Sequence, residues 1–130
     1  MANLLLPDSS FYITALREGR DPLRELIQNA DDHDIATCGI IILEVTRGRS
    51  DPNVLRRFHD AFAVIIHLTT TNQIWERASQ LAWSLDRQGV ILPAPDILIA
   101  AHALQADATV LTHDAHFSSI PGLHVIDHVQ

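Results

Sequence analysis

The sequence contains no lysine; all nine of its basic side chains are arginines. That absence removes several readings of a short α/β chain at once. A phosphate-binding P-loop needs its lysine. Receiver domains and haloacid-dehalogenase-type phosphatases also set an Asp after the first strand, but both use a lysine. Cysteine is almost as scarce. Cys38 stands alone, which excludes an intramolecular disulfide and cysteine-rich zinc sites. It lies in an apolar run and reads as a small buried hydrophobe. No apolar run reaches the roughly 18 residues of a membrane span. The N-terminus has neither a basic region nor a cleavage-site pattern, so a cytoplasmic protein is expected. No G-x-S-x-G elbow is present, which argues against a Ser-His-Asp hydrolase. Positive charge is short overall. A net charge of −7 argues against a broad nucleic-acid-binding patch, although a cation bound among clustered acids would offset part of it.

What remains is a chain of 130 residues, 47% of them hydrophobic, enough for one domain over residues 1–130 with a real core. The stretch from Pro93 to Asp114 organises the reading. Pro95 presets φ for a first helical turn, and Asp96 sets a negative charge where the helix dipole is positive. The run Ile97–Leu104 is apolar almost all round and predicts a buried helix. Thr109 to Thr112 then predict a short parallel strand covered on both faces, ended by Asp114.

Taken in order, residues 3–6 read as a buried strand running through Pro7 into Asp8. A proline is tolerated at the end of a strand but not in its middle. Ser9 or Ser10 is expected to cap a helix over Phe11–Glu18, with Gly19 as its stop. Asp21 and Pro22 open a second helix. Asp31, Asp32, His33 and Asp34 read as a solvated acidic turn. Residues 35–48 fit either one long strand or a strand to Cys38 followed by a helix, because periodicity does not settle buried apolar runs. Asp51 and Pro52 open a helix with the stripe Val54, Leu55, Phe58, Ala61 and Phe62. Val64–Leu68 reads as a strand. Thr70 or Thr71 caps a long helix with Ile74, Trp75, Ala78, Leu81, Ala82 and Leu85 inward. The two tryptophans fall on or beside that stripe, so core packing is expected of them rather than base stacking. A Pro121-Gly122 turn precedes a last strand, Leu123–Ile126. Strands alternating with helices predict a parallel α/β sandwich.

Four acids share one property: Asp8, Glu44, Asp96 and Asp114 each interrupt or end an apolar segment. A carboxylate inside such a run costs several kcal/mol unless it is paired or bound to metal. For Glu44 an arginine partner is the plain alternative, and for Asp96 a helix cap. In a βα alternation, right-handed crossovers bring strand C-termini to one edge. Hard oxygen ligands gathered there suit magnesium or manganese. Such ions hold a phosphodiester, activate water and stabilise the leaving oxygen. Among eight histidines, His113-Asp114-x-His116 is the best local case for a transition-metal site, but it lacks a clear third ligand.

The segments LLLPDSSFYI, IIILEVTRG, PDILIAAHAL and TVLTHDAHF resemble the four sequence blocks of the PIN domain family. The chain is most similar to the VapC-type toxins of bacterial toxin–antitoxin pairs. The resemblance implies a three-layer α/β/α sandwich with a central parallel sheet of four to five strands. It implies a Mg2+- or Mn2+-dependent endoribonuclease leaving a 5′-phosphate and a 3′-hydroxyl. It further implies a homodimer and a cognate antitoxin. Carried over by position, its metal-binding and catalytic acids fall on Asp8, Glu44, Asp96 and Asp114, with Ser9 or Ser10 and Thr112 in support. It also selects strand-then-helix for residues 35–48. Arg17, Arg47, Arg49, His113 and His116 are candidate RNA contacts. Pro7 before the first acid is unusual, and a basic surface of arginines alone leaves RNA binding weaker. Two other readings stay open: a PIN fold that binds metal or a partner without cutting, and a PIN nuclease in RNA processing outside any toxin pair.

Overall fold

The computed structural model describes residues 3–29 and 33–128. The chain runs β1 (Asn3–Pro7), α1 (Ser9–Arg17), α2 (Pro22–Asn29), β2 (His33–Cys38), α3 (Gly39–Arg47) and α4 (Pro52–Val64). It continues β3 (Ile66–Leu68), α5 (Asn72–Arg87), α6 (Ala94–Ala106), β4 (Thr109–Leu111), a 3-10 turn (Ala115–Ser119) and β5 (His124–Ile126). The five strands form one sheet in the order β3-β2-β1-β4-β5, and every pair is parallel. Helices flank this sheet in an α/β/α sandwich, with five strands rather than four. No described helix is long and apolar enough to cross a membrane.

The strand order explains where a site can form. The chain moves outward from β1 to β2 to β3, then returns through α5 and α6 to the other side of β1. The order therefore reverses between β1 and β4, which opens a crevice beyond the carboxyl ends of those two strands. Pro7 pairs with Leu111 in the register, so Asp8 and Thr112 emerge side by side. The Asp8 N–H donates to the Leu111 carbonyl at 3.0 Å, one step beyond the proline that cannot donate. The central strands are apolar where they are covered: Leu5, Leu6, Val110 and Leu111 are fully buried. Burying one such side chain contributes roughly 1.5–3 kcal/mol. The edge strands β3 and β5 are only three residues each, which limits the unpaired edge they expose.

α6 is the helix the sequence predicts most sharply. Ile97 to Ala103 are all buried, and the small residues Ala100, Ala101 and Ala103 let it lie close to its neighbours. Asp107, in the left-handed region at φ 53°, ends it. Four expectations are corrected. The cap of α1 is Asp8, not Ser9 or Ser10; its side chain accepts from the Phe11 N–H, and the helix begins at Ser9. Val64 is the last residue of α4 rather than the start of a strand, and it is exposed. Trp75 and Trp83 are 54% and 62% exposed, because α5 buries only a narrow stripe of Ile74, Ala78 and Leu85. His33 and Asp34 belong to β2 rather than to a turn, and Asp31 and Asp32 lie outside the described residues. Cys38 is fully buried, and burial pushes its thiol up to about 11, so it is an inert core residue.

Candidate active site at the switch point

Each of the four acids is delivered by a different element. Asp8 follows β1 directly. Glu44 lies in the middle of α3, where the second reading of residues 35–48 holds: strand to Cys38, then helix. Asp96 occupies the first turn of α6 but is not its cap; Pro93 stands at the cap position and makes no side-chain capping bond. Asp114 follows β4 and caps the 3-10 turn, accepting from the His116 N–H at 2.9 Å.

Asp8 is 2% exposed and has three donors. Its Oδ1 accepts from the Ser10 hydroxyl at 2.7 Å and the Phe11 N–H at 3.1 Å. Its Oδ2 accepts from the Thr112 hydroxyl at 2.8 Å. Thr112 Oγ1 in turn accepts from the Asp114 N–H at 2.9 Å, so one hydroxyl ties two of the acids together. Ser10 Oγ takes the His113 N–H at 3.1 Å. Burial is the largest influence on Asp8 and raises its pKa above the ordinary aspartate value, against the pull of Ser10, Thr112 and Phe11; nearby Asp96 adds to the rise.

Asp96 is the electrostatic centre of the group. Its pKa is raised, first by burial and further by the charges of Asp114 and Glu44, while the bond from His116 opposes the shift. His116 Nδ1 lies 3.0 Å from Asp96 Oδ2 and 3.1 Å from Asp114 Oδ1. These two acids raise the His116 pKa, Asp96 most strongly. One ligand atom from each of Asp96, Asp114 and His116 lies within 4.8 Å of the other two. Asp8 and Glu44 do not join that mutual group. Glu44 is half-buried and accepts from the Ser9 hydroxyl at 2.9 Å. It has no arginine partner: among the described residues, arginines pair only with Glu18, Glu25 and Asp21.

The other expected contacts are less tightly held. His113 is exposed, and its ring stacks on Phe11 with centroids 6.2 Å apart. Arg17 and Arg47 are exposed, and Arg49 donates from Nε to the Val45 carbonyl at 3.1 Å. None of the three forms an ion pair with the acids among the described residues. An open hollow of about 600 Å³, lined in part by Thr112, His113, Asp114, Ser118 and His128, adjoins the site on the β5 side. What sequence reading did not foresee is His116 against Asp96, a contact across 20 residues that no local spacing signals.

Known structures share this architecture. The VapBC2 complex of Rickettsia felis bound to a promoter DNA fragment has a chain 22% identical, with a TM-score of 0.78 over 95% of this chain and 97% of its own. A VapBC-1 chain from nontypeable Haemophilus influenzae is 21% identical, with a TM-score of 0.78 over 95% and 97%. A toxin–antitoxin complex from Klebsiella pneumoniae contains a chain 27% identical, with a TM-score of 0.70 over 94% and 95%. No curated protein sequence matches the chain significantly. The sequence profile described as the PIN domain matches residues 5–123, and the chain belongs to the PIN domain family.

Proposed function

We propose that the chain is a Mg2+- or Mn2+-dependent endoribonuclease, the toxin of a type II toxin–antitoxin pair. One observation supports this reading: four carboxylates from four segments lie close enough to feel one another's charge around Asp96, and none has an arginine partner among the described residues. His116 is their one possible cationic partner among the described residues. Two of the acids are held above the ordinary aspartate range chiefly by burial, the state expected of a site shaped for a cation. All-oxygen donors of this kind fit a hard divalent ion. Asp8, Glu44 and Asp96 would hold it, with Asp114 directly or through water. Bound there, it would supply Lewis-acid stabilisation of the phosphodiester and a lowered pKa for attacking water.

The side chains have separable tasks. Ser10, Thr112 and the Phe11 N–H fix the Asp8 carboxylate in one orientation. Ser9 orients Glu44. The reaction adds water across the P–O3′ bond; the phosphoryl group stays on the 5′ side and the 3′ oxygen leaves as a hydroxyl. Arg17, Arg47, Arg49 and His113 are the candidates to meet RNA phosphates. The low positive charge favours contacts at few phosphates and therefore a selective substrate.

A protein partner is supported by a groove between α2 and α4. It holds about 290 Å³ and is lined by Tyr12, Leu23, Leu26, Ile35 and Val64 among others. Ile27 and Val64 on its rim are 78% and 83% exposed, and the buried Tyr12 hydroxyl has no hydrogen-bond partner among the described residues. An apolar surface of that kind suits an antitoxin segment. Trp75 and Trp83, exposed on one face of α5, suit a homodimer contact.

The test is cleavage of a mixed RNA pool by wild type and Asp96→Asn, with Mg2+, with Mn2+ and with chelator. Metal-dependent cutting by the wild type alone is expected. Cutting that persists in Asp96→Asn or in chelator overturns the assignment. A folded wild type that binds metal and leaves the pool intact would favour the non-cutting reading.

A further inference from the structure

We infer that His116 is a nitrogen ligand of the same cation, and that it biases the site towards manganese over magnesium. This rests on the metal reading above and goes beyond its all-oxygen ligand set. His116 was a candidate RNA contact; in the structure its Nδ1 lies between two of the acids. Its separations of 3.0 Å from Asp96 Oδ2 and 3.1 Å from Asp114 Oδ1 are those of neighbouring donor atoms around one ion. An octahedral cation with bonds of about 2.1 Å sets adjacent donors about 3 Å apart.

The position is also preorganised. The His116 N–H donates to Asp114 Oδ1 at 2.9 Å, which anchors the backbone of His116 to the neighbouring acid. The 3-10 turn that begins at Ala115 fixes the direction from which the ring approaches. Of the histidine motif seen in the sequence, Asp114 and His116 join Asp96 of α6 in one group, while His113 stays outside it against Phe11. Both ions suit carboxylate oxygens, but manganese, a transition ion, gains more from one nitrogen donor than magnesium does, so one ring nitrogen shifts the preference without closing the site to either ion.

Binding of Mn2+ alone, followed by electron paramagnetic resonance on folded wild type, His116→Ala and His116→Asp, tests this without any substrate. In the wild type, pulsed spectra should show a directly coordinated 14N, and that coupling should vanish in His116→Ala. Mn2+ affinity should fall about tenfold in that variant while Mg2+ affinity, read by competition, changes less than about threefold. His116→Asp should bind both ions with a smaller Mn2+ preference, because it keeps a ligand but makes it oxygen. Circular dichroism would verify that both variants fold. Mn2+ bound to the wild type without nitrogen coupling, or coupling that survives His116→Ala, overturns the inference and leaves the nuclease reading standing. A wild type that binds neither ion overturns both.

Discussion

The acid edge has a closed half and an open half. In the closed half, Asp8 is buried, accepts three hydrogen bonds and is locked by residues from its own turn and by Thr112, just past the end of β4. In the open half, the side chains of Asp96, Asp114 and His116 are 15%, 29% and 49% exposed, and they depend on one another. The closed half is a scaffold built by the strand ends. The open half is a set of charged groups that lean on one another across two elements. The contrast teaches that one acidic edge need not be uniform. One carboxylate can be set by folding alone, while the others stay responsive because their one ion-pair partner among the described residues is a neighbouring histidine.

Asp96→Asn should break that contrast most severely. Cleavage should fall by about a thousandfold or more, since a metal contributes several kcal/mol of charge stabilisation and about 1.4 kcal/mol is a factor of ten. The same change should make the metal-free protein more stable. The Asp96 pKa is raised on folding, so its stabilising contribution is complete below the ordinary aspartate value and is lost as pH rises through the raised one. At neutral pH the wild type carries an unfavourable charge that Asn removes. In chelator at pH 7 the melting temperature of the variant should exceed that of the wild type. The gap should close as the pH falls towards the ordinary aspartate range. Adding Mn2+ should raise the melting point of the wild type far more than that of the variant. A variant less stable than the wild type in chelator at every pH would mean that Asp96 is there for packing.

Thr112→Val should produce the next largest effect, this time from the closed half. Valine keeps the shape but leaves Asp8 Oδ2 and the Asp114 N–H each without its partner. Orienting residues behind a metal ligand typically account for about 10–100-fold in affinity or activity. Leaving buried polar groups unpaired costs about 1–3 kcal/mol, so the variant should also melt earlier. Denaturation with and without metal would separate the two losses. Equal stability and full cleavage in Thr112→Val would show that the closed half is not held by this hydroxyl.

Most of this architecture was legible because it is written in local physics. Asp21-Pro22 and Asp51-Pro52 open α2 and α4 as the capping rules require. The buried run of α6 and the short β4 follow from composition alone. Where local rules are degenerate, reading failed. Asp8, Ser9 and Ser10 can each cap a helix, and only the end of β1 at Pro7 selects Asp8. Helical spacing placed Trp75 on the inward stripe of α5, but the width of that stripe depends on what packs against it. The four acids stood out because each interrupts an apolar segment. Their distances, and the turning of His116 towards Asp96, belong to tertiary structure and left no trace in spacing.

Ser9→Ala should have the smallest effect on cleavage, for a reason the two halves make clear. Among the described residues the Glu44 carboxylate accepts one hydrogen bond, from the Ser9 hydroxyl, where that of Asp8 accepts three. It sits on a long, flexible side chain of a half-buried helix position, so losing that bond frees rotamers without burying an unpaired group. The cost is therefore the net value of one partly buried hydrogen bond, about 0.5–1.5 kcal/mol, or roughly two- to twelvefold. It should appear in the metal concentration needed for half-maximal cleavage and not in the rate at saturating metal, because excess ion restores occupancy of a loosened ligand. Steady-state cleavage titrated with Mn2+ would decide the matter. A fall in the saturated rate as large as that of Thr112→Val would place Ser9 at the reacting phosphate itself and redraw the boundary between the two halves.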